Sequence, residues 1–258
     1  MLKRFTTDFT VVAAEMIDCE YVLLTLKHPE QLPEINAGQF VEVKLPDSAT
    51  SFLRRPISIH DVNRDNQTLQ LLIRVVGNGT KLLSLLTIGD KLNLVYPLGN
   101  GFSLDKAGNR PLLVGGGVGV APMLYLGKRL VEMGAQPEFL FGARNKSGLL
   151  RLAEFEKIAK VNITTEDGSV GTKGFVTNHS AIESNIANYS SLLVCGPMPM
   201  MKAVAAKAKA AGVRCEVSLE NKMACGIGVC LCCVTETKEG HKCVCSQGPV
   251  FEINELKW

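Results

Sequence analysis

Two rhythms of apolar and polar residues divide the chain. Over the first hundred positions the apolar residues come in short runs, several of them alternating with polar ones: "FTTDFTVVAAEMI", "YVLLTLKH", "GQFVEVKLP", "PISIHDVN", "TLQLLIRVVG" and "GDKLNLVYPLG". Gly, Pro, Asn or Asp separates most of these runs, and alternation with a period of two marks strands with one buried face. Six such runs predict an antiparallel β-barrel. A short helix, "GTKLLSLL", is expected just before Gly89 and Asp90. Beyond "PLGNGF" (97–102) the rhythm changes, and continuous apolar runs alternate with helical segments. "PLLVGG", "EFLFGA", "VNITTE", "SLLVCG" and "RCEVSLE" read as strands, with helices starting near Pro122, Arg151, Phe175 and Met198. A repeating βα pattern implies a parallel sheet with right-handed crossovers covering both faces. A cysteine-rich tail follows from about Glu220. The expected fold is multidomain: an antiparallel six-stranded β-barrel over 1–100, an α/β parallel-sheet nucleotide-binding domain over 101–214, and a small C-terminal domain over 215–258.

Composition narrows the function. The chain has 258 residues, 46% apolar and 21% charged, which is ordinary for a folded protein. The net charge is +3, both signs are interspersed and no Lys/Arg block stands out, so nothing favours nucleic acid or an anionic membrane. Asp8 and Thr10 interrupt any signal-peptide core at the N-terminus. The longest apolar tract, 111–126, is broken by four glycines and two prolines, where a membrane span needs roughly 18 uninterrupted apolar residues. A cytosolic protein is expected. Six of the nine cysteines fall in the last 34 residues, and in the cytosol such clustering points to metal or redox chemistry rather than disulfides.

The glycine-rich turn in "PLLVGGGVGVAPMLYLGKRLVEMG" joins a strand to a helix. Gly115, Gly116, Gly117 and Gly119 allow close backbone approach, Pro122 suits a first helical turn, and Gly134 can end the helix. A helix N-terminus behind such a turn is a natural anion site, and its place at the opening of a five-strand βα unit favours a nucleotide. The alternative is a tight turn without a ligand. A second turn, "CGPMPMM", follows the fourth strand and places Cys195 at a strand carboxyl end, as a ligand-facing thiol or a small buried hydrophobe. "TEDGSVGTKG" occupies the same edge after the third strand, as a substrate loop or a polar turn. In the barrel half, "RRPISIH" offers Arg55 for a phosphate and Ser58 for a ring, and "VVGNGTKLLSLL" offers a glycine turn leading into a helix.

The tail carries the most specific spacing. Cys225, Cys230 and Cys233 stand as C-x4-C-x2-C, with Cys243 or Cys245 available later, which is the plant-type [2Fe–2S] pattern. Thiolates that converge from one short loop need a tight wrap. Gly226 and Gly228 permit it and leave N–H groups free for the sulfurs, while Ile227, Val229 and Leu231 are expected to exclude water. Zinc is the alternative, since Cys230 and Cys233 form a C-x2-C pair, but the second half here is C-x-C.

In order, "RPIS", "GNGT", "GGGVGVAP" and "CGPMPMM" resemble the ferredoxin-reductase superfamily over some 200 residues, in which a six-stranded barrel holds FAD and the following α/β domain holds NAD(P). The resemblance implies that Arg55, Pro56, Ile57 and Ser58 bind the flavin, with Ser58 near the reactive part of its ring. Leu72, Ile73 and Arg74 would line the flavin site, and Gly79 and Thr80 would meet its pyrophosphate. Gly116, Gly117 and Gly119 through Pro122 would form the nicotinamide-nucleotide turn, and Cys195 would lie near the nicotinamide. Ser58 and Cys195 are thus the candidate catalytic residues.

With "SLENKMACGIGVCLCC" and "CSQGPVF", the whole chain resembles the electron-transfer subunits of type 1B dihydroorotate dehydrogenase. That resemblance implies FAD, one [2Fe–2S] cluster and NAD as co-substrate, with the C-terminal domain as the iron–sulfur domain. It makes Cys245 the fourth ligand beside Cys225, Cys230 and Cys233. Gln247 stands where an acid is common in the family, and Cys232 and Cys243 have no family role. The implied partner is an FMN-containing catalytic subunit that oxidises dihydroorotate, in a heterotetramer of two plus two. Electrons then run from FMN through the cluster and FAD to NAD⁺, and the tail surface forms the partner interface. Two other readings are a related subunit serving a ferredoxin or sulfur-metabolising partner, and a zinc-stapled binding module without catalysis. Arg144, just after the second strand of the sheet, bears on NADH against NADPH: it would bind a 2′-phosphate or merely cap a helix.

Overall fold

The computed structural model describes residues 3–46 and 52–258. Strands β1 (Phe5–Met16), β2 (Tyr21–Lys27), β3 (Phe40–Val43), β4 (Arg55–Asn63), β5 (Thr68–Arg74) and β6 (Lys91–Leu98) close into a barrel, with helix α1 (Asn78–Ser84) between β5 and β6. The barrel runs β1-β2-β5-β4-β3-β6, and every neighbouring pair is antiparallel. Register shifts in β1, β3 and β4 add the local bend that closure of six strands requires. Phe9, Leu24, Leu26, Leu69, Leu71 and Leu94 fill the interior and are fully buried, as the alternating pattern predicts.

The second half is a seven-stranded sheet. Its strands are β7 (Pro111–Gly116), β8 (Glu138–Ala143), β9 (Val161–Thr165), β10 (Thr172–Lys173), β11 (Ser191–Cys195), β12 (Arg214–Ser218) and, after a small hairpin of β13 (Val234–Thr237) and β14 (Gly240–Cys243), β15 (Val250–Glu252). The order is β10-β9-β8-β7-β11-β12-β15, parallel except for β15, which pairs antiparallel with β12. Helices α2 (Met123–Glu132), α3 (Leu152–Glu156), α4 (Ser180–Glu183) and α5 (Met198–Ala210) fill the crossovers, and a single turn, α6 (Val244–Gln247), lies in the tail. All five strands expected from sequence are present. The short β10 comes from "TEDGSVGTKG", where Asp167 accepts from the Ser169 N–H in the turn that precedes it.

The tail is woven into this sheet. The expected boundary at 214/215 falls inside β12, and β15 returns from the tail to pair with it. Phe251, Ile253 and Leu256 share a core with Leu112, Val114 and Val217 of the sheet. Arg214 pairs with Glu216 at 2.7 Å and with Glu252 at 3.1 Å, and Glu216 also accepts from the Ser103 N–H at 3.0 Å. The barrel is fastened as firmly: His60 on β4 donates from Nδ1 to the Ala121 carbonyl at 2.7 Å, and the Tyr125 hydroxyl donates to the Ile35 carbonyl at 3.1 Å. Among the described residues, no helix is long and apolar enough to cross a membrane.

Candidate functional site

β4 and β5 part company halfway along. β4 pairs with β5 from Ile59 to Asn63, but its Arg55–Ser58 segment pairs with β3, while Leu72, Ile73 and Arg74 of β5 pair with β2. Both segments expected to hold the flavin therefore border one opening in the barrel wall. The side chains of Leu72 and Ile73 are buried in the barrel core, and Arg74 is held by Glu20 at 3.1 Å, so backbone is what this strand offers to a ring. Pro56, Ile57 and Ser58 are half-buried on the opposite edge. The next feature is close approach. A side chain at Gly79 would meet the Arg55 guanidinium at 2.8 Å, so α1 can lie against Arg55 only because this position is glycine. The Thr80 hydroxyl shapes the same turn by accepting from the Val76 and Gly77 N–H groups at 2.9 and 3.2 Å. Arg54 is occupied by Asn93 and by the Glu42 carbonyl, whereas Arg55 donates through Nη1 to the Leu53 and Arg54 carbonyls and keeps Nε and Nη2 toward Gly79. A guanidinium, a glycine-opened turn and unpaired strand edges are what a flavin dinucleotide needs.

The two nucleotide turns meet at the carboxyl edge of the sheet. A β-carbon on Gly119 would stand 2.4 Å from the Cys195 carbonyl oxygen, and one on Gly116 would stand 2.5 Å from Met200 Sδ. Gly117 has φ +55° with open space before it, and Pro122 caps α2. The glycines thus let "GGGVGVAP" and "CGPMPMM" pack backbone to backbone at the carboxyl edge of the strands, where parallel sheets of this kind take nucleotides. Cys195 is buried there, and its thiol donates to Glu220 Oε1 at 3.7 Å. Burial, with help from Glu220, holds that thiol far above its ordinary pKa, so it stays protonated at neutral pH. Glu220 was missed in the sequence. Burial of its carboxyl beside Cys195 raises its pKa, while part of the residue remains exposed to solvent. An acid two residues past the carboxyl end of β12 was the available signal. Arg144 is exposed at the carboxyl end of β8.

In the tail the thiols come in two pairs. Cys225 lies beside Cys230, and Cys245 beside Cys233. Among the described residues no three metal-binding side chains close on one point. A two-iron cluster takes two thiolates per iron, and two pairs suit it. Backbone N–H groups point at the sulfurs as the glycine spacing suggested: Ile227 N to Cys225 Sγ at 3.4 Å, and Cys245 N to Cys233 Sγ at 3.3 Å. Burial pushes the Cys225 thiol up, but N–H groups of Ile227, Cys230 and Val229 outweigh it and bring the pKa to about 6. Gly226 and Gly228 have φ +66° and +88°, and Leu231 is also left-handed at +59°. One expectation fails here. Ile227, Val229 and Leu231 do not cover the sulfurs; they are 39, 72 and 63% exposed, because the wrap turns N–H groups inward and these side chains outward. Cys232 is likewise exposed, donating to the Lys222 carbonyl at 3.6 Å. Gln247 accepts from the Cys243 N–H at 2.9 Å through its amide oxygen, a bond that a carboxylate would make equally well.

This arrangement is that of a ferredoxin-reductase-type oxidoreductase, a flavin barrel backed by a nicotinamide-nucleotide sheet, with an iron–sulfur loop added. Family models match each part: an oxidoreductase FAD-binding domain over 9–102, an oxidoreductase NAD-binding domain over 113–206, and the iron–sulfur cluster binding domain of dihydroorotate dehydrogenase B over 220–257. The chain belongs to the family of dihydroorotate dehydrogenase B electron transfer subunits. It is 38% identical over 252 residues to the "Dihydroorotate dehydrogenase B (NAD(+)), electron transfer subunit" of Bacillus pumilus, covering 96% of each chain. It is 38% identical over 225 residues to the subunit of the same name from Shouchella clausii, covering 85% of each. Among solved structures, a chain of an NADH-dependent reduced ferredoxin-NADP oxidoreductase superposes with a TM-score of 0.86 at 31% identity, covering 97% of this chain and 90% of that one.

Proposed function

We propose that this chain is the NAD-linked electron-transfer subunit of a dihydroorotate dehydrogenase, accepting electrons from the FMN of a catalytic partner and delivering them to NAD⁺. One observation carries the reading. The β3–β4 part of the barrel touches both other parts, through His60 on the Ala121 carbonyl and through Glu42 against Gly226. FAD, when bound, exchanges a hydride with nicotinamide and single electrons with a [2Fe–2S] cluster. The chain's own residues supply the rest. Arg55 and the turn at Gly79 and Thr80 take the flavin pyrophosphate, Pro56 to Ser58 and the backbone of Leu72 to Arg74 border its ring, and Ser58 faces the reacting edge. Gly116, Gly117, Gly119 and Pro122 receive the nicotinamide nucleotide. Cys195, held as a neutral thiol, acts as a contact that excludes water rather than as a nucleophile. Cys225 with Cys230, and Cys233 with Cys245, hold one iron each.

The partner, an FMN-containing dihydroorotate dehydrogenase subunit in a two-plus-two assembly, covers the exposed Val229 and Leu231 beside the cluster loop. The cytoplasm suits nine cysteines that are all free. A second reading has its own observation: the likeness to a ferredoxin-NADP oxidoreductase chain spans nearly the whole length, which favours a related subunit with another partner. The test is to purify the chain anaerobically, alone and with whatever copurifies. Alone it is expected to contain FAD and a [2Fe–2S] cluster and to reduce dyes with NADH without oxidising dihydroorotate; with its partner it couples dihydroorotate to NAD⁺. A colourless protein sinks the proposal, and a copurifying ferredoxin-linked enzyme selects the second reading.

A further inference from the structure

The outer wall of the barrel carries a carboxylate where it meets the cluster loop. Glu42 on β3 is 1% exposed, and among the described residues neither of its oxygens has a hydrogen-bond partner. Its neighbours Phe40, Val41 and Val43 are all buried and apolar, so an apolar residue would suit the strand at least as well. The side chain lies against Gly226, where a β-carbon would stand 2.5 Å from Glu42 Cγ and 2.9 Å from Oε1. Gly226 follows Cys225 directly. The nearby cations are engaged elsewhere: Arg54 bonds Asn93 and main-chain carbonyls, and Arg55 donates to the Leu53 carbonyl at 2.7 Å. Among the described residues, none forms an ion pair with Glu42. A buried, unpaired carboxylate is costly, and its field is poorly screened, so it acts on whatever charge changes beside it.

We propose that Glu42 sets the reduction potential of the iron–sulfur cluster, its negative charge opposing the arrival of an electron and so keeping the reduced cluster a good donor to the flavin. The proposal rests on the reading of Cys225, Cys230, Cys233 and Cys245 as the cluster's ligands. Charge, burial and hydrogen bonding are the protein's levers on cluster potential, and Glu42 is a charge placed between the flavin strands and the cluster loop.

The test is an EPR-monitored potentiometric titration of the purified full-length protein at about pH 9, where the Glu42 carboxyl is ionised although burial, partly offset by Arg54, pushes it up to about 7. Glu42→Gln removes the charge at nearly constant shape. It is expected to move the one-electron reduction equilibrium about tenfold toward the reduced cluster, a positive shift of about 59 mV, with FAD and iron contents unchanged. Glu42→Asp keeps the charge and should stay within about threefold of wild type. If the Gln variant does not fold, Glu42→Met, with an unbranched apolar side chain, takes its place with the same expectation. Equal midpoints in wild type and Gln, or an Asp shift as large as that of Gln, overturn the proposal. So does loss of FAD or iron in the neutral variants, which would make Glu42 a residue that retains a cofactor. Failure of the underlying reading looks different: wild type itself then shows no cluster signal, or Cys230→Ala leaves that signal unchanged.

Discussion

Cys243 and Cys245 are two positions apart, and spacing alone allows either as a fourth ligand. The backbone separates them. Cys243 ends β14 opposite Val234, whereas Cys245 lies in the first turn of α6, where its N–H and its thiol both reach Cys233. Cys245→Ser is therefore expected to lose the cluster while keeping FAD, and Cys243→Ser and Cys232→Ser to retain both, as read by iron content and the visible spectrum. A cluster that survives Cys245→Ser and is lost with Cys243→Ser would reverse the assignment. At this scale the sequence marked three candidate ligands through their spacing within one loop. The fourth depends on where a hairpin returns, which spacing does not encode.

Between elements, one carboxylate ties several strands together at the edge of the sheet opposite the nucleotide turns. Glu138 opens β8 and is nearly buried. It accepts from Arg110 at 2.6 Å, the Asn162 amide at 3.2 Å, the Tyr189 hydroxyl at 3.2 Å and Lys160 at 3.3 Å, so it joins the starts of four parallel strands. Burial alone would raise its pKa, but Arg110, Asn162 and Lys160 outweigh that and depress it below the ordinary 4.5. A depressed carboxylate pKa stabilises the fold above the unfolded value and ceases to as pH falls through the folded one. Glu138→Gln is expected to cost about 1.5 kcal/mol at pH 7 in urea denaturation, and the gap to wild type should narrow as pH falls below the ordinary 4.5. A pH-independent gap would mean that packing, not charge, is what the variant disturbs. Nothing in "EFLFGA" singles out Glu138; only parallel strands starting in line bring its partners within reach.

For the molecule as a whole, the contact between barrel and sheet contains a titratable group. His60 is fully buried and bonds Ala121 through Nδ1, and among the described residues its Nε2 has no partner. Burial lowers its pKa from 6.5 to about 4, outweighing the bond to Ala121. The imidazole is neutral when folded, so its contribution is complete above pH 6.5 and is lost as pH falls from 6.5 toward 4, by about 3 kcal/mol in all. Holoprotein should lose stability over that window, and His60→Asn, which can still donate to Ala121, should lose less. Equal slopes for the two proteins would assign the acid sensitivity elsewhere. Ala121 begins the approach to α2 and Ser58 lies two residues before His60, so acid loosening is expected to raise the KM for NADH before FAD is released.

The periodicities of two and of alternating βα units were enough to specify the barrel, the sheet and the order of the parts, because each element's pattern is contained in its own window of residues. Glycine turns and cysteine spacing marked the cofactor segments for the same reason: a turn or a short loop is local chemistry. The tertiary structure alone decided the rest. It parted β4 from β5 to make the opening, set Glu220 beside Cys195, brought β15 back to the sheet, turned Ile227, Val229 and Leu231 outward, and sealed Glu42 against Gly226. Each of these joins residues distant in sequence or depends on which side of a packed surface a side chain occupies. Both are set by how whole elements fit together, and no local pattern of residues contains that information.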